Sequence, residues 1–212
     1  MCSCWRARHC TDGAVQVMSH RRRDWEERYR GQQKASDVFG SDASPSDFLV
    51  AHADLIRGHV LEVAAGAGRN ALFLARRGCV VELVDISHDG LRQAHEAALA
   101  AGLTLLPIQA DLETFPLPRS RYDAVINIRY LQRSLFEPLQ EAVKPGGVIL
   151  FETFLADQRS IGHPRNPEFL LQRGELRTVF ARCEILVYEE GLFHATTRPC
   201  YLARLLARRI WD

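Results

Sequence analysis

The sequence carries no surplus charge of either sign. Its 27 Lys and Arg balance 26 Asp and Glu, leaving a formal net charge of +1. No global basic field therefore argues for nucleic acid as a partner. No apolar run approaches membrane-spanning length, and the first residues lack the apolar core of a secretory signal. Internal repeats and low-complexity tracts are also missing. The six cysteines form no disulfide framework in a chain of 212 residues. Cys79, Cys183 and Cys200 fall in or beside apolar segments and read as buried free thiols of a reducing cytoplasm. Cys2, Cys4, His9 and Cys10 cluster near the start, but their spacing fits no common zinc pattern and no second ligand pair follows. No metal site is expected.

What is present is organised around Val60 to Asn70. A short apolar run (Val60, Leu61, Val63) ends in a small-residue loop with Gly66 and Gly68, and a helical segment, Ala71 to Arg77, follows. The order is strand, tight turn, helix. Glycine lets the backbone adopt turns that a side chain forbids and lets a ligand come close. The helix start offers unpaired N–H groups to a polar or anionic ligand. The stretch reads as the nucleotide-cofactor loop of a doubly wound α/β domain. Gly66-x-Gly68-x-x-Ala71 also fits the dinucleotide fingerprint, a motif of low specificity on its own.

The rest of the chain falls into place around that loop. Residues 1–17 are expected to be a disordered extension, 18–58 a helical cap, and 59–212 the main domain. In the cap, Asp24 starts a helix carrying Trp25 and Tyr29 on one face. Arg21-Arg22-Arg23 is followed at once by Asp24, Glu26 and Glu27, so it reads as a solvated face. Pro45-Ser46-Asp47 opens a second helix that ends near Gly58. The second strand, Cys79 to Val84, ends at Asp85, whose carboxylate can accept both hydroxyl hydrogens of a ribose. Ser87 is better placed than Asp85 to cap the next helix, which Gly102 closes. The third strand, Leu105 to Ala110, ends at Asp111-Leu112. From the fourth, Tyr122 to Asn127, the chain leaves through Ile128, Arg129 and Tyr130 at the carboxyl edge, where open α/β sheets bind ligands.

Ser134-x-x-Glu137 reads as a capping box. Lys144-Pro145-Gly146-Gly147 reads as a sharp turn into a fifth strand, Val148 to Phe151. Leu155 to Pro167 is a long irregular segment over the same edge, expected to act as a lid. A short helix over Glu175 to Phe180, a sixth strand over Cys183 to Tyr188, a turn at Glu189-Glu190-Gly191 and a seventh strand over Tyr201 to Ala207 complete the chain. The last two strands pair antiparallel.

This order resembles the class I S-adenosylmethionine (SAM)-dependent methyltransferases. More narrowly, it is similar to the tellurite-resistance methyltransferases and their bacterial relatives. The residues that carry the resemblance are Gly66-Ala67-Gly68-Arg69-Asn70, the Lys144 to Gly147 turn, Gly174-Glu175-Leu176-Arg177, Tyr188-Glu189-Glu190, and Gly191 to His194. It covers residues 24–208 at the level of fold. It implies a Rossmann-like α/β fold of seven strands, mostly parallel with an antiparallel terminal strand. In that family an acidic residue, here Glu62, closes the first strand before a Gly-x-Gly-x-Gly-like loop. This chain departs from the pattern with Ala64 at the first glycine position. The family also implies that Asp111 faces the adenine amino group and that the Leu112 N–H meets a ring nitrogen.

The expected cofactor-binding residues are Glu62, Ala64, Gly66, Gly68, Asn70, Asp85, Ile86, Asp111, Leu112 and Asn127, with SAM as cofactor and S-adenosylhomocysteine as product. Arg129, His163 and Arg165 are the expected substrate-positioning residues; Arg133 and His194 are further cationic candidates. Arg129 follows the fourth strand directly, and its competing role is an ion pair with Glu152. The expected reaction is methyl transfer to a thiol, a chalcogen oxyanion or a small metabolite, by a cytoplasmic monomer or homodimer with no membrane or nucleic-acid partner. An RNA or protein methyltransferase and a non-catalytic SAM-binding module stay open. A NAD-dependent reductase is more distant, because it calls for neither Asp111 nor the Lys144 turn.

Overall fold

The strands at the centre of this protein are buried along nearly their whole length, which is the pattern of parallel strands covered on both faces. The computed structural model describes residues 44–194 and 198–211. The expectations for residues 1–17, for the Trp25 and Tyr29 helix and for Arg21 to Arg23 lie outside the described residues. The strands are β1 His59–Val63, β2 Val80–Asp85, β3 Leu106–Gln109, β4 Tyr122–Ile128, β5 Val143–Phe154, β6 Glu184–Phe193 and β7 Cys200–Arg208. The helices are α1 Asp47–Ala51, α2 Arg69–Arg76, α3 His88–Ala100, α4 Phe136–Ala142 and α5 Glu175–Val179.

The sheet order is β3-β2-β1-β4-β5-β7-β6. The first five strands are parallel to their neighbours, and β7 runs antiparallel to both β5 and β6. This is the expected Rossmann-like, mostly parallel sheet. The order reverses between β1 and β4, so the switch-point crevice opens at the carboxyl ends of those two strands. Alternation along the strands feeds two cores. Leu61, Val63, Val125, Ile149 and Phe151 face one side, under α4 and α5. Val60, Ala124, Ile126 and Leu150 face the other, under α1, α2 and α3. Phe136, Phe151 and Phe180 meet in the first core with ring centroids 5.7 to 6.3 Å apart.

Three expectations from sequence are corrected. Glu189-Glu190-Gly191 is not a turn: β6 runs through it to Phe193. Glu189 sits opposite Arg204 on β7, and Glu190 accepts the Tyr188 hydroxyl and the Gly174 N–H, so these carboxylates are used by an edge strand rather than a bend. Lys144 to Gly147 belongs to β5, not to a separate turn before it. Tyr122 pairs with Val143 but Ala124 pairs with Val148, so the four residues bulge out of the strand. The bulge is pinned by Lys144 Nζ on Asp123 Oδ1 at 2.7 Å. A Cβ on Gly147 would fall 2.7 Å from the Asp123 carbonyl, so only glycine fits there. Finally, Ser134 does not cap α4. It lies in a 3-10 turn, Arg133–Leu135, and its hydroxyl accepts from Gln132 Nε2 at 3.0 Å.

Candidate active site

The cofactor edge is built from the end of β1 and the turn into α2. Ala64, Gly66 and Gly68 all take positive φ, at 50°, 56° and 72°. Gly68 also meets a steric need, since a Cβ there would lie 2.7 Å from Ala94 Cβ on α3. Ala64 occupies the family's first glycine position in a left-handed conformation that costs an L-residue about 1–2 kcal/mol. Arg129, at the end of β4, is left-handed as well, with φ 62°. Backbone strain thus sits on both sides of the crevice, as it does at many ligand sites.

Glu62, one residue before the end of β1, is almost wholly buried, 2% exposed. Asn70 Nδ2 donates to its Oε1 at 2.8 Å, and its Oε2 has no hydrogen-bond partner. Burial pushes the carboxyl up to about 7, against the pull of the Asn70 hydrogen bond and the Arg69 charge. A buried carboxylate oxygen without a donor is a fit for a cationic ammonium group. Asp85 ends β2, and its two oxygens accept the Gly66 and Ser87 N–H groups, each at 2.8 Å. Its role is therefore partly structural: it ties the β1 loop to β2, and a variant lacking the carboxylate would disturb that loop. Ser87 does cap α3, accepting from the Gly90 N–H at 3.1 Å. Around the third strand, the Ile86 carbonyl accepts from Gln109 Nε2, Asp111 Oδ1 accepts the Glu113 N–H, and buried Leu112 presents its carbonyl to Gln132 Nε2. Asn127 donates to the Tyr130 carbonyl at 2.8 Å and so shapes the exit from β4.

A second group of side chains stands at the ends of β4, β5 and β7. Glu152 on β5 is 1% exposed. Arg129 Nε lies 3.2 Å from its Oε1, and Arg204 Nε donates to its Oε2 at 2.7 Å. The ion pair that competed for Arg129 is thus formed. The two groups are joined by hydrogen bonds through Ser46, the residue before α1. The Ser46 N–H donates to Asn70 Oδ1 at 2.9 Å, and the Ser46 hydroxyl donates to Glu152 Oε1 at 3.3 Å. One relay, Glu62–Asn70–Ser46–Glu152, therefore runs from the cofactor edge to the paired arginines.

The other cationic candidates are placed differently. Arg133 is spent on a clamp: its Nε and Nη2 hold the two Glu175 oxygens at 2.7 and 3.0 Å, and Nη2 also donates to the Leu170 carbonyl. The expected lid, residues 155–167, is stapled at its base. Ala156 and Leu171 N–H groups bond across to Leu171 and Phe154 carbonyls, and buried Gln158 accepts the Tyr201 N–H. Its outer part carries His163 and Arg165, both exposed. Arg165 lines an open depression of about 610 Å³ with Ala156, Asp157, Arg159 and Ser160. Among the described residues, no hydrogen bond or ion pair joins His163, Arg165 or exposed His194 to the Glu152 group. Sequence reading missed Ser46 and Arg204. The available signal for Arg204 was a charged residue inside the apolar run Leu202 to Ala207, which demands a buried partner.

Comparison with known proteins agrees with this layout. Residues 60–147 match a family model described as a methyltransferase domain. The chain is 32% identical to the fatty-acid O-methyltransferase of Mycolicibacterium smegmatis over 108 residues, 48% of this chain and 39% of that protein. It is 32% identical to a ubiquinone biosynthesis O-methyltransferase of Vibrio vulnificus over 114 residues, 50% of this chain and 48% of that protein. It spans less than half the length of each of these curated relatives. TehB from Haemophilus influenzae shares the fold with a TM-score of 0.66 at 21% identity, covering 87% of this chain and 67% of that one. The magnesium protoporphyrin IX methyltransferase of Synechocystis, solved with bound SAM, gives 0.62 at 19% identity, covering 96% and 100%.

The fold is that of the Rossmann-like class I methyltransferases, and the matched stretch, residues 60–147, is a methyltransferase domain. In fold the chain resembles TehB.

Proposed function

We propose that this protein transfers the SAM methyl group to a small-molecule acceptor. The observation that carries the reading is the buried Glu62 oxygen without a donor, beside the left-handed loop and at the switch point of the sheet. Glu62 would hold the ammonium group of SAM, Asp85 its ribose, and Asp111 with Leu112 its adenine. When bound, SAM supplies a methyl group already activated by the sulfonium, so binding and orientation are the main tasks left to the protein. Arg129 then orients the acceptor at the end of β4, and His163 and Arg165 contribute from the outer loop. The balanced charge of the chain favours a small acceptor over RNA. Cytoplasmic residence belongs to the same proposal, because the buried free thiols Cys79 and Cys183 suit a reducing compartment.

The test follows a label. The protein is incubated with methyl-labelled SAM and an extract of its source cells, and the label is traced into volatile, small soluble, protein and RNA fractions. Label in the volatile or small soluble fraction supports the proposal. Label in RNA or protein sinks it.

A further inference from the structure

Arg129 keeps one guanidinium nitrogen, Nη1, buried and without any hydrogen-bond partner. Its side chain as a whole is 23% exposed, and Arg129 follows directly on β4, whose carboxyl end borders the crevice. Buried donors are nearly always satisfied in folded proteins, and one left open invites a ligand acceptor. The charge around it is unbalanced in the same sense. Two guanidinium groups, Arg129 and Arg204, share the single buried carboxylate of Glu152. Glu189 lies 3.9 Å from Arg204 Nη1 but is half exposed, so water screens it. The walls are aromatic. Arg129 lies over the Phe154 ring at 4.7 Å, and Arg204 lies over Phe193 at 3.9 Å and Phe48 at 5.5 Å.

From this cluster we infer an acceptor subsite for an organic carboxylate with an apolar body: Arg129 Nη1 holds one oxygen of the anion, and the partly exposed Phe193 beside the cluster receives the carbon skeleton. The inference rests on the methyl-transfer reading and names the substrate class for it. A single open donor holds one carboxylate oxygen and leaves the other free. Arg204 and the backbone lock at Arg129 fix the donor in place: the Arg129 N–H bonds to the Glu152 carbonyl at 2.7 Å, and Arg204 keeps Glu152 neutralised on its other side.

The subsite is tested by calorimetric titration of the full chain saturated with S-adenosylhomocysteine. The probes are benzoate, its neutral isostere benzamide, and inorganic selenite. Benzoate is expected to bind about tenfold tighter than benzamide, the gain of one charge-assisted hydrogen bond. Arg129→Gln should erase that preference, Arg129→Lys should keep part of it, and both should bind S-adenosylhomocysteine as the parent does. Arg129→Gln leaves the Arg204–Glu152 pair intact, so the fold is retained and a melting curve verifies it. Equal binding of benzoate and benzamide, no binding of either, or a benzoate preference that survives Arg129→Gln would overturn the subsite. Selenite bound in place of benzoate would overturn the apolar-body part of it. Failure to bind S-adenosylhomocysteine at all would instead count against the methyl-transfer reading.

Discussion

Ala64→Gly should make this protein more stable, against the usual effect of adding a glycine. Ala64 sits at φ 50°, where an L-residue loses about 1–2 kcal/mol. Glycine relieves that strain and returns about 0.4–1 kcal/mol through the freer unfolded chain. The half-buried Ala64 methyl also packs against the first core, a contact the glycine gives up. The net expectation is a gain of about 0.5 kcal/mol, or about 1–2 °C in Tm for a chain of this size. Ala65 is the internal control. It lies one residue on, is buried, and has no positive φ. Ala65→Gly should lose about 1 kcal/mol by the same entropy and the lost methyl. Chemical denaturation of the two variants beside the parent decides the matter. If both glycines destabilise by similar amounts, the left-handed strain assigned to Ala64 is refuted.

Three further outcomes follow from named contacts. Glu62 keeps its proton in the fold up to about pH 7, whereas its ordinary value is 4.5, so the folded state binds the proton more tightly in that window. Stability of the unliganded protein should therefore fall as pH rises from 4.5 to 7, by about 3 kcal/mol at most, and Glu62→Gln should flatten the slope in denaturant titrations. Gly68→Ala forces a Cβ to 2.7 Å from Ala94 Cβ at φ 72°, and should cost about 2–4 kcal/mol, read as a drop in Tm with weaker SAM binding. Arg204→Leu strips Glu152 of its shorter ion pair and should destabilise by about 3 kcal/mol, read in a denaturant titration.

The positions of Glu62, Asp85 and Asp111 were legible because each lies at or beside the carboxyl end of a strand, and those ends face the crevice in a parallel sheet. Gly66, Gly68 and the departure at Ala64 were legible for the same local reason. What failed was local turn chemistry overridden by partners distant in sequence. Glu189, Glu190 and Gly191 look like a bend until Arg204 and Gly174 are seen beside them. Lys144 to Gly147 looks like a separate turn until Asp123 pins it as a bulge. Ser134 has the spacing of a cap, but Gln132 claims its hydroxyl. The relay through Ser46 joins residues 106 positions apart, Ser46 and Glu152, and no spacing rule reaches that far. Arg133 and Arg129 looked alike as cations after β4. Their difference lies in Glu175, which takes Arg133 into a clamp, and in the open nitrogen left on Arg129.

The most direct measurement is calorimetric titration of the full chain with SAM and, separately, with NAD. One SAM bound per chain, weakened in Glu62→Gln and with NAD ignored, is the expected result. NAD binding with no SAM binding, or SAM affinity untouched in Glu62→Gln, would contradict the assignment of the β1 edge as the cofactor site.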